Sequence, residues 1–196
     1  AENTEWYRYL LVFSESTLDE QSTGTTIQVS DRSSTVTALT FPDFDLDNGH
    51  IGGEVSWNSP ADHAQLAKFV AYLATSDSGV GRSQIGNDVT VGINLIDIPV
   101  DTSRMSYTYV VVYSSSSLYE QTTPAALSFI DYAASVSALT FVDLDLDLSD
   151  VGGDVQWSAP TDASNRVWYY TAYLSTSAAG ASKSIIGVDP NGVAKG

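Results

Sequence analysis

The residues best suited to chemistry in this 196-residue chain are aspartates, and they occur twice in one pattern. Asp43-Phe44-Asp45-Leu46-Asp47 returns as Asp143-Leu144-Asp145-Leu146-Asp147. With the first aspartate of each run as position one, Glu54 and Asp154 fall at position twelve. Carboxylates at one, three, five and twelve suit calcium, because a hard cation is held by several oxygens converging at about 2.3–2.6 Å. Position six of such a loop needs glycine for its sharp turn, and here it is Asn48 or Leu148. Asp43, Asp45, Asp47, Asp143, Asp145 and Asp147 are therefore candidate calcium ligands. The plainer expectation is a strand with Phe44, Leu46, Leu144 and Leu146 facing in and the aspartates facing water.

No comparable case exists for catalysis. His50 and His63 fall in predicted loops, and the second copy of the pattern has Asp150 and Ala163 in their places. Neither belongs to a metal-spaced pair, and no Gly-x-Ser-x-Gly elbow is present, so both read as solvated loop residues. With so many carboxylates, some pair will lie at glycosidase distance by chance. Trp6, Trp57, Trp157 and Trp168 could form a sugar platform, although Trp57 and Trp157 read as core. The absence of cysteine removes disulfides, thiolate metal sites and thiol nucleophiles. No catalytic residue and no cofactor beyond the candidate calcium is expected. A formal charge of −16 argues against nucleic acid, whose phosphates need a positive face. No apolar run approaches the ~18 residues of a membrane span.

The elements that must position these residues repeat. Shifted by 100, the chain matches itself: 36–47 reads VTALTFPDFDLD and 136–147 reads VSALTFVDLDLD. Over 35–62, 15 of 28 residues are identical, including Gly52-Gly53 with Gly152-Gly153 and Trp57 with Trp157, which makes chance an untenable explanation. Tyr7-Arg8-Tyr9-Leu10-Leu11-Val12-Phe13 aligns with Tyr107-Thr108-Tyr109-Val110-Val111-Val112-Tyr113. Further on the offset becomes 101, so Tyr72-Leu73 meets Tyr173-Leu174. The period within a unit is two rather than 3.6: Phe69, Ala71 and Leu73 alternate with Val70 and Tyr72. The segment 66–74 taken alone suits a short helix, but its pairing with the aromatic-rich 166–175 favours a strand. Short strand-like runs separated by Gly, Pro, Asn, Asp and Ser clusters predict an all-β sandwich.

Gly53-Glu54-Val55-Ser56-Trp57-Asn58-Ser59-Pro60, followed by Phe69-Val70-Ala71-Tyr72-Leu73, resembles the B and C strands of a fibronectin type III or Ig-like domain. Tyr107-Thr108-Tyr109-Val110-Val111 resembles its F strand, with Tyr107 as the corner tyrosine. The resemblance implies tandem Ig-like/fibronectin III-like β-sandwiches with a repeat of about 100 residues, and an extracellular setting; it names no ligand. It places strands A and B over 35–58, C over 67–75, C′ over 82–86, E over 92–99, F over 106–114 and G over 125–131.

On that register one complete sandwich spans 34–131. Residues 1–33 match strands F and G of a missing domain, and 132–196 match strands A to C′ of a sandwich that stops before E. Neither fragment should be stable alone, since each would expose an edge and an apolar face. Three readings follow. The N-terminal segment closes the C-terminal fragment of its own chain; it enters the fragment of the next molecule, giving an open head-to-tail homopolymer; or the chain is a piece of a longer repeat protein. The second implies a structural subunit of an extracellular filament, resembling fibrils assembled by donor-strand complementation. Its interface would involve Trp6, Tyr7, Tyr9, Leu11, Phe13, Ile27 and Val29. A cell-surface adhesin or carbohydrate-binding module is the rival class. The runs Ser114-Ser115-Ser116-Ser117 and Thr122-Thr123-Pro124 offer hydroxyls for O-linked glycans.

Overall fold

The computed structural model describes residues 7–161, 164–189 and 193–195. The chain is all-β, built from several small antiparallel sheets. Strands β1 (Tyr9–Val12) and β2 (Thr25–Gln28) form a hairpin. A middle unit follows, with β3 (Thr37–Thr40), β4 (His50–Asn58), β5 (Lys68–Ala74), β6 (Ser83–Gln84), β7 (Val89–Thr90), β8 (Leu95–Ser103), β9 (Tyr109–Ser115) and β10 (Ala125–Ser128). The C-terminal unit comprises β11 (Ser137–Phe141), β12 (Asp154–Ser158), a short 3-10 turn (Ser164–Arg166), β13 (Tyr170–Leu174), β14 (Ser184–Asp189) and β15 (Val193–Lys195).

In the middle unit one sheet runs β3-β4-β8 and the other β10-β9-β5-β6, with β7 also on β5. Period-two alternation sends Val55 and Trp57 from the first sheet, and Phe69, Ala71, Leu73, Val110 and Val112 from the second, into one shared core. Trp57 meets Phe69 edge to face at 5.5 Å across it. Strand β9 is buried along both faces, because Val111 and Tyr113 lie under a second layer made with Ala74, Tyr72 and Tyr109. That is why its sequence is an unbroken apolar run. Lys68–Ala74 is a strand, as the alignment with 166–175 requires.

The paired glycines mark a crowded crossing. Gly53 has φ +144°, and a Cβ there would lie 2.5 Å from the Pro42 carbonyl oxygen. Gly153 repeats this at φ +154° against Val142 O. Only glycine fits such an approach, which explains its presence in both copies.

Several boundaries differ from expectation. The strand expected over 92–99 runs Leu95–Ser103; the one expected over 82–86 shrinks to Ser83–Gln84, and β7 adds a pairing that the turn-rich composition hides. F is Tyr109–Ser115 and G ends at Ser128. His50 is no loop residue: it begins β4, opposite Ser103. The C-terminal unit does not stop before E, because β15 pairs with β12 through Asp154↔Lys195, Val155↔Ala194 and Gln156↔Val193. This is where β8 pairs with β4 through Glu54↔Asp97, Val55↔Ile96 and Ser56↔Leu95. Three residues carry no strand signature of their own, so pairing with β12 is what makes 193–195 a strand.

Candidate functional site

The C-terminal unit repeats the core residues of the middle unit without covering them. Its two small sheets, β11-β12-β15 and β13-β14, border an apolar cleft of about 460 Å³ lined by Val136, Leu139, Phe141, Val155, Trp157 and Tyr170, among others. Trp157 meets Tyr170 edge to face at 5.6 Å, as Trp57 meets Phe69. Yet Phe141 is 45% exposed where Phe41 is 9%, and Val151 55% where Ile51 is 0%. The middle core is covered in part by β9 and β10, whose Val110, Val112 and Leu127 pack in it together with Phe129 just beyond β10. Among the described residues the C-terminal unit has no such pair of strands.

The N-terminal hairpin has the form of β9-β10. β1 and β2 pair through Tyr9↔Gln28, Leu10↔Ile27, Leu11↔Thr26 and Val12↔Thr25. β9 and β10 pair through Tyr109↔Ser128, Val110↔Leu127, Val111↔Ala126 and Val112↔Ala125, the same register displaced by 100. The connecting loops share most of their hydrogen bonds. Ser14 N–H donates to Gln21 Oε1 at 3.1 Å, as Ser114 N–H does to Gln121 Oε1. Gln21 N–H returns to Ser14 O at 2.9 Å, as Gln121 N–H does to Ser114 O. Ser16 and Ser116 hydroxyls each accept from the amides two and three residues on. Val29 N–H donates to Arg8 O, as Phe129 N–H does to Thr108 O. Despite this likeness of form, Val110 and Val112 are fully buried, whereas Leu10 and Val12 are 58% and 64% exposed.

By position Leu10, Val12, Ile27 and Val29 correspond to Val110, Val112, Leu127 and Phe129 of the middle core, and Tyr7 to Tyr107 at its edge. Tyr9, Leu11 and Phe13 correspond to Tyr109, Val111 and Tyr113, which form the outer layer. Leu10 and Val12 are absent from the interface expected from sequence, although the 100-residue offset to Val110 and Val112 carries their signal. Trp6 lies outside the described residues.

The first aspartate run has the opposite orientation to the strand expectation, and the second is exposed at Asp143 and Asp147 as well as at its leucines. Residues 43–47 form no strand; Asp43 and Asp45 are buried while Phe44, Leu144 and Leu146 are exposed. The reason is backbone hydrogen bonding. Asp43 Oδ1 accepts the amides of Asp45 (3.2 Å) and Gly52 (3.0 Å), and Oδ2 accepts that of Tyr132 (3.0 Å). Asp45 accepts from Asp47 N–H (3.0 Å) and Asp101 N–H (2.7 Å). Buried amides need acceptors, and a carboxylate serves several at once. Burial pushes the Asp43 carboxyl above the ordinary carboxylate value, opposed by those same amides.

As to a metal, Asp45 and Asp47 come within 4.8 Å of Asp101, a residue that the spacing did not indicate, while Asp43 and Glu54 stand outside that group. Asp47 and Asp101 are exposed, so water screens the three charges. Asp143 repeats the first half of the arrangement, taking Asp145 N–H (3.1 Å) and Gly152 N–H (3.0 Å) on Oδ1; Asp147 N–H donates to Asp145 Oδ1. The counterpart of Tyr132, which would serve Asp143 Oδ2, is Arg32 at the end of the hairpin segment. Asp143 is exposed where Asp43 is 1% exposed.

Both segments leading into a unit are pinned. Arg32 pairs with Asp62 at 2.6 Å. Arg166 donates to Asp43 O at 2.7 Å with its guanidinium 4.1 Å from the Tyr132 ring centre. Trp57 is core and Trp157 lines the cleft, so neither belongs to a surface platform; Trp168 is 81% exposed. His63 is an exposed loop residue. Comparison with protein-family models, curated proteins and solved structures gives no match.

Proposed function

We propose that this chain is a structural subunit of an extracellular filament built from Ig-like/fibronectin III-like sandwiches. The hairpin of one copy completes the C-terminal sandwich of the next, head to tail. What supports this reading is one observation: the hairpin β1-β2 reproduces β9-β10 in register and loop hydrogen bonding while the cleft that such a hairpin helps to cover stands open. In the single chain neither fills the other, since the hairpin side chains are exposed and the cleft lining is exposed at Leu139, Phe141 and Val151 and only half-buried at Val155 and Trp157.

The template supplies the register. β9 pairs with β5 through Val70↔Tyr113, Ala71↔Val112, Tyr72↔Val111 and Leu73↔Val110. Carried over, Thr171, Ala172, Tyr173 and Leu174 would meet Phe13, Val12, Leu11 and Leu10. Burying Leu10, Leu11, Val12, Phe13, Ile27 and Val29 at roughly 1.5–3 kcal/mol each supplies on the order of 10–20 kcal/mol gross, before the costs of association. A contact between two different surfaces does not close on itself, so it grows into a polymer. Each subunit brings a charge of −16, so growth should speed up with added salt.

Deleting 1–33 should leave short or monomeric species with an aggregation-prone C-terminal unit. A peptide covering 7–30, added in trans, should cap ends and shorten fibres in negative stain. Normal filaments from the truncated chain would refute strand donation. The adhesin or carbohydrate-binding reading draws on exposed Trp168. However, its counterpart Ala67 gives its amide to Ser115 O at 2.8 Å, which puts Trp168 beside an incoming hairpin. Glycan binding by a chain that stays monodisperse at every concentration would favour that rival.

A further inference from the structure

The outer face of the middle unit carries a fastening that divides between the two halves of the proposed junction. The Arg82 guanidinium lies 4.4 Å from the Tyr72 ring centre and 4.5 Å from that of Tyr113. Arg82 Nη1 meets Glu120 Oε1 at 2.8 Å, and Tyr72 Oη donates to Glu120 Oε2 at 2.8 Å. Tyr72 and Arg82 come from the segment that has a counterpart in the C-terminal unit. Tyr113 and Glu120 come from the part that has its counterpart in the hairpin. The counterparts are Tyr173 and Lys183 on the acceptor side, and Phe13 and Glu20 on the donor side.

The acceptor half is already assembled, with Lys183 Nζ 4.8 Å from the Tyr173 ring centre. Among the described residues neither Lys183 nor Glu20 makes an ion pair, and both are exposed. The loop holding Glu20 has the geometry of the loop holding Glu120: the bridge Glu15↔Glu20 repeats Ser115↔Glu120. The acceptor pairing repeats too, since Tyr173↔Ile185 and Leu174↔Ser184 follow Tyr72↔Gln84 and Leu73↔Ser83. Both partners are thus held in the places that bring Arg82 and Glu120 together.

Resting on the head-to-tail reading, we propose that Lys183 of one copy and Glu20 of the next form an intermolecular latch. It would be backed by Tyr173 and Phe13 and would select the partner and register of the junction. The apolar side chains supply adhesion without direction. A lone cation facing a lone carboxylate penalises any register that separates them.

The test uses charge reversal in the full chain, read by sedimentation of assembled material and electron microscopy. Glu20→Lys alone and Lys183→Glu alone each place like charges across every junction, and each should raise the concentration needed for assembly about tenfold. The double variant should return to near wild type. Mixing the two single variants should also assemble, as an alternating copolymer, because every junction then joins opposite charges. Unchanged thermal unfolding of the unassembled single variants would separate a junction effect from misfolding. If wild type assembles, Leu10→Asp blocks it and the reversals change nothing, the latch is wrong and strand donation stands. If reversals weaken assembly but neither the double variant nor the mixture recovers, the latch is also wrong. If wild type itself never assembles, both ideas fall.

Discussion

The middle and C-terminal units contain much the same residues in the same order, and they differ in whether those residues leave water. Trp57 is buried and Trp157 is half-buried; Asp43 is enclosed and Asp143 is exposed. Composition does not account for the difference, since 35–62 and 135–162 are more than half identical. It comes from the strands around them: β9 and β10 have no counterpart in the C-terminal unit among the described residues, and the nine-residue β8 is matched there only by the three-residue β15. A sandwich core lies between two sheets, and its burial is shared by all of them, so removing one hairpin opens positions far from it in sequence. The lesson is that burial here belongs to the completed sandwich and to no single repeat.

The largest expected contrast lies at equivalent positions of the two hairpins. Val110→Asp buries an unpaired charge in a closed core and should cost more than about 4 kcal/mol, unfolding the middle unit. Leu10→Asp stays solvated in the free chain, so thermal unfolding should shift by less than about 0.5 kcal/mol, while assembly disappears. Denaturant titration together with electron microscopy checks both. Equal destabilisation by the two substitutions would contradict the equivalence.

A smaller contrast concerns the aspartates. Asp43→Ala leaves three amides without their acceptor and should cost roughly 3 kcal/mol in a urea titration. Asp143→Ala removes two exposed bonds and should cost about 1 kcal/mol or less in the free chain. In assembled material the Asp143→Ala cost should grow, because the template gives its second oxygen the amide of Arg32. Equal costs in free and assembled protein would mean that the junction does not copy the middle unit.

The smallest effect is a pH dependence confined to the outer layer. Burial, and then its hydrogen bond to Glu120, push the Tyr72 hydroxyl up to about 12. A folded-state value above the ordinary tyrosine value near 10 means that the native state holds its proton longer. The stabilisation is complete below pH ~10 and is lost as pH rises from 10 through 12, and because Tyr72 is only partly buried, solvent screening keeps it small. Denaturant midpoints should therefore fall more steeply across that window for wild type than for Tyr72→Phe. Parallel curves would remove Tyr72 from the fastening on which the proposed latch is patterned.

Period-two alternation at Phe69, Ala71 and Leu73, the glycine pairs and the self-match at 100 residues determine by themselves an all-β chain with one pattern used twice. They also identify the first segment as the counterpart of 107–129, because strand period and turn chemistry are local properties. The direction of the aspartates was beyond their reach. Alternating Asp and Leu reads the same whichever set faces in, and the deciding amides belong to Asp101 and Tyr132, 56 and 89 residues away from the carboxylates they bind. Strand β15 was likewise invisible, since Val193–Lys195 is a strand only through its pairing with β12. Only the tertiary structure decides that Val110 and Val112 face the shared core and Val111 the outer layer, because an apolar run is silent about which of its faces meets the core.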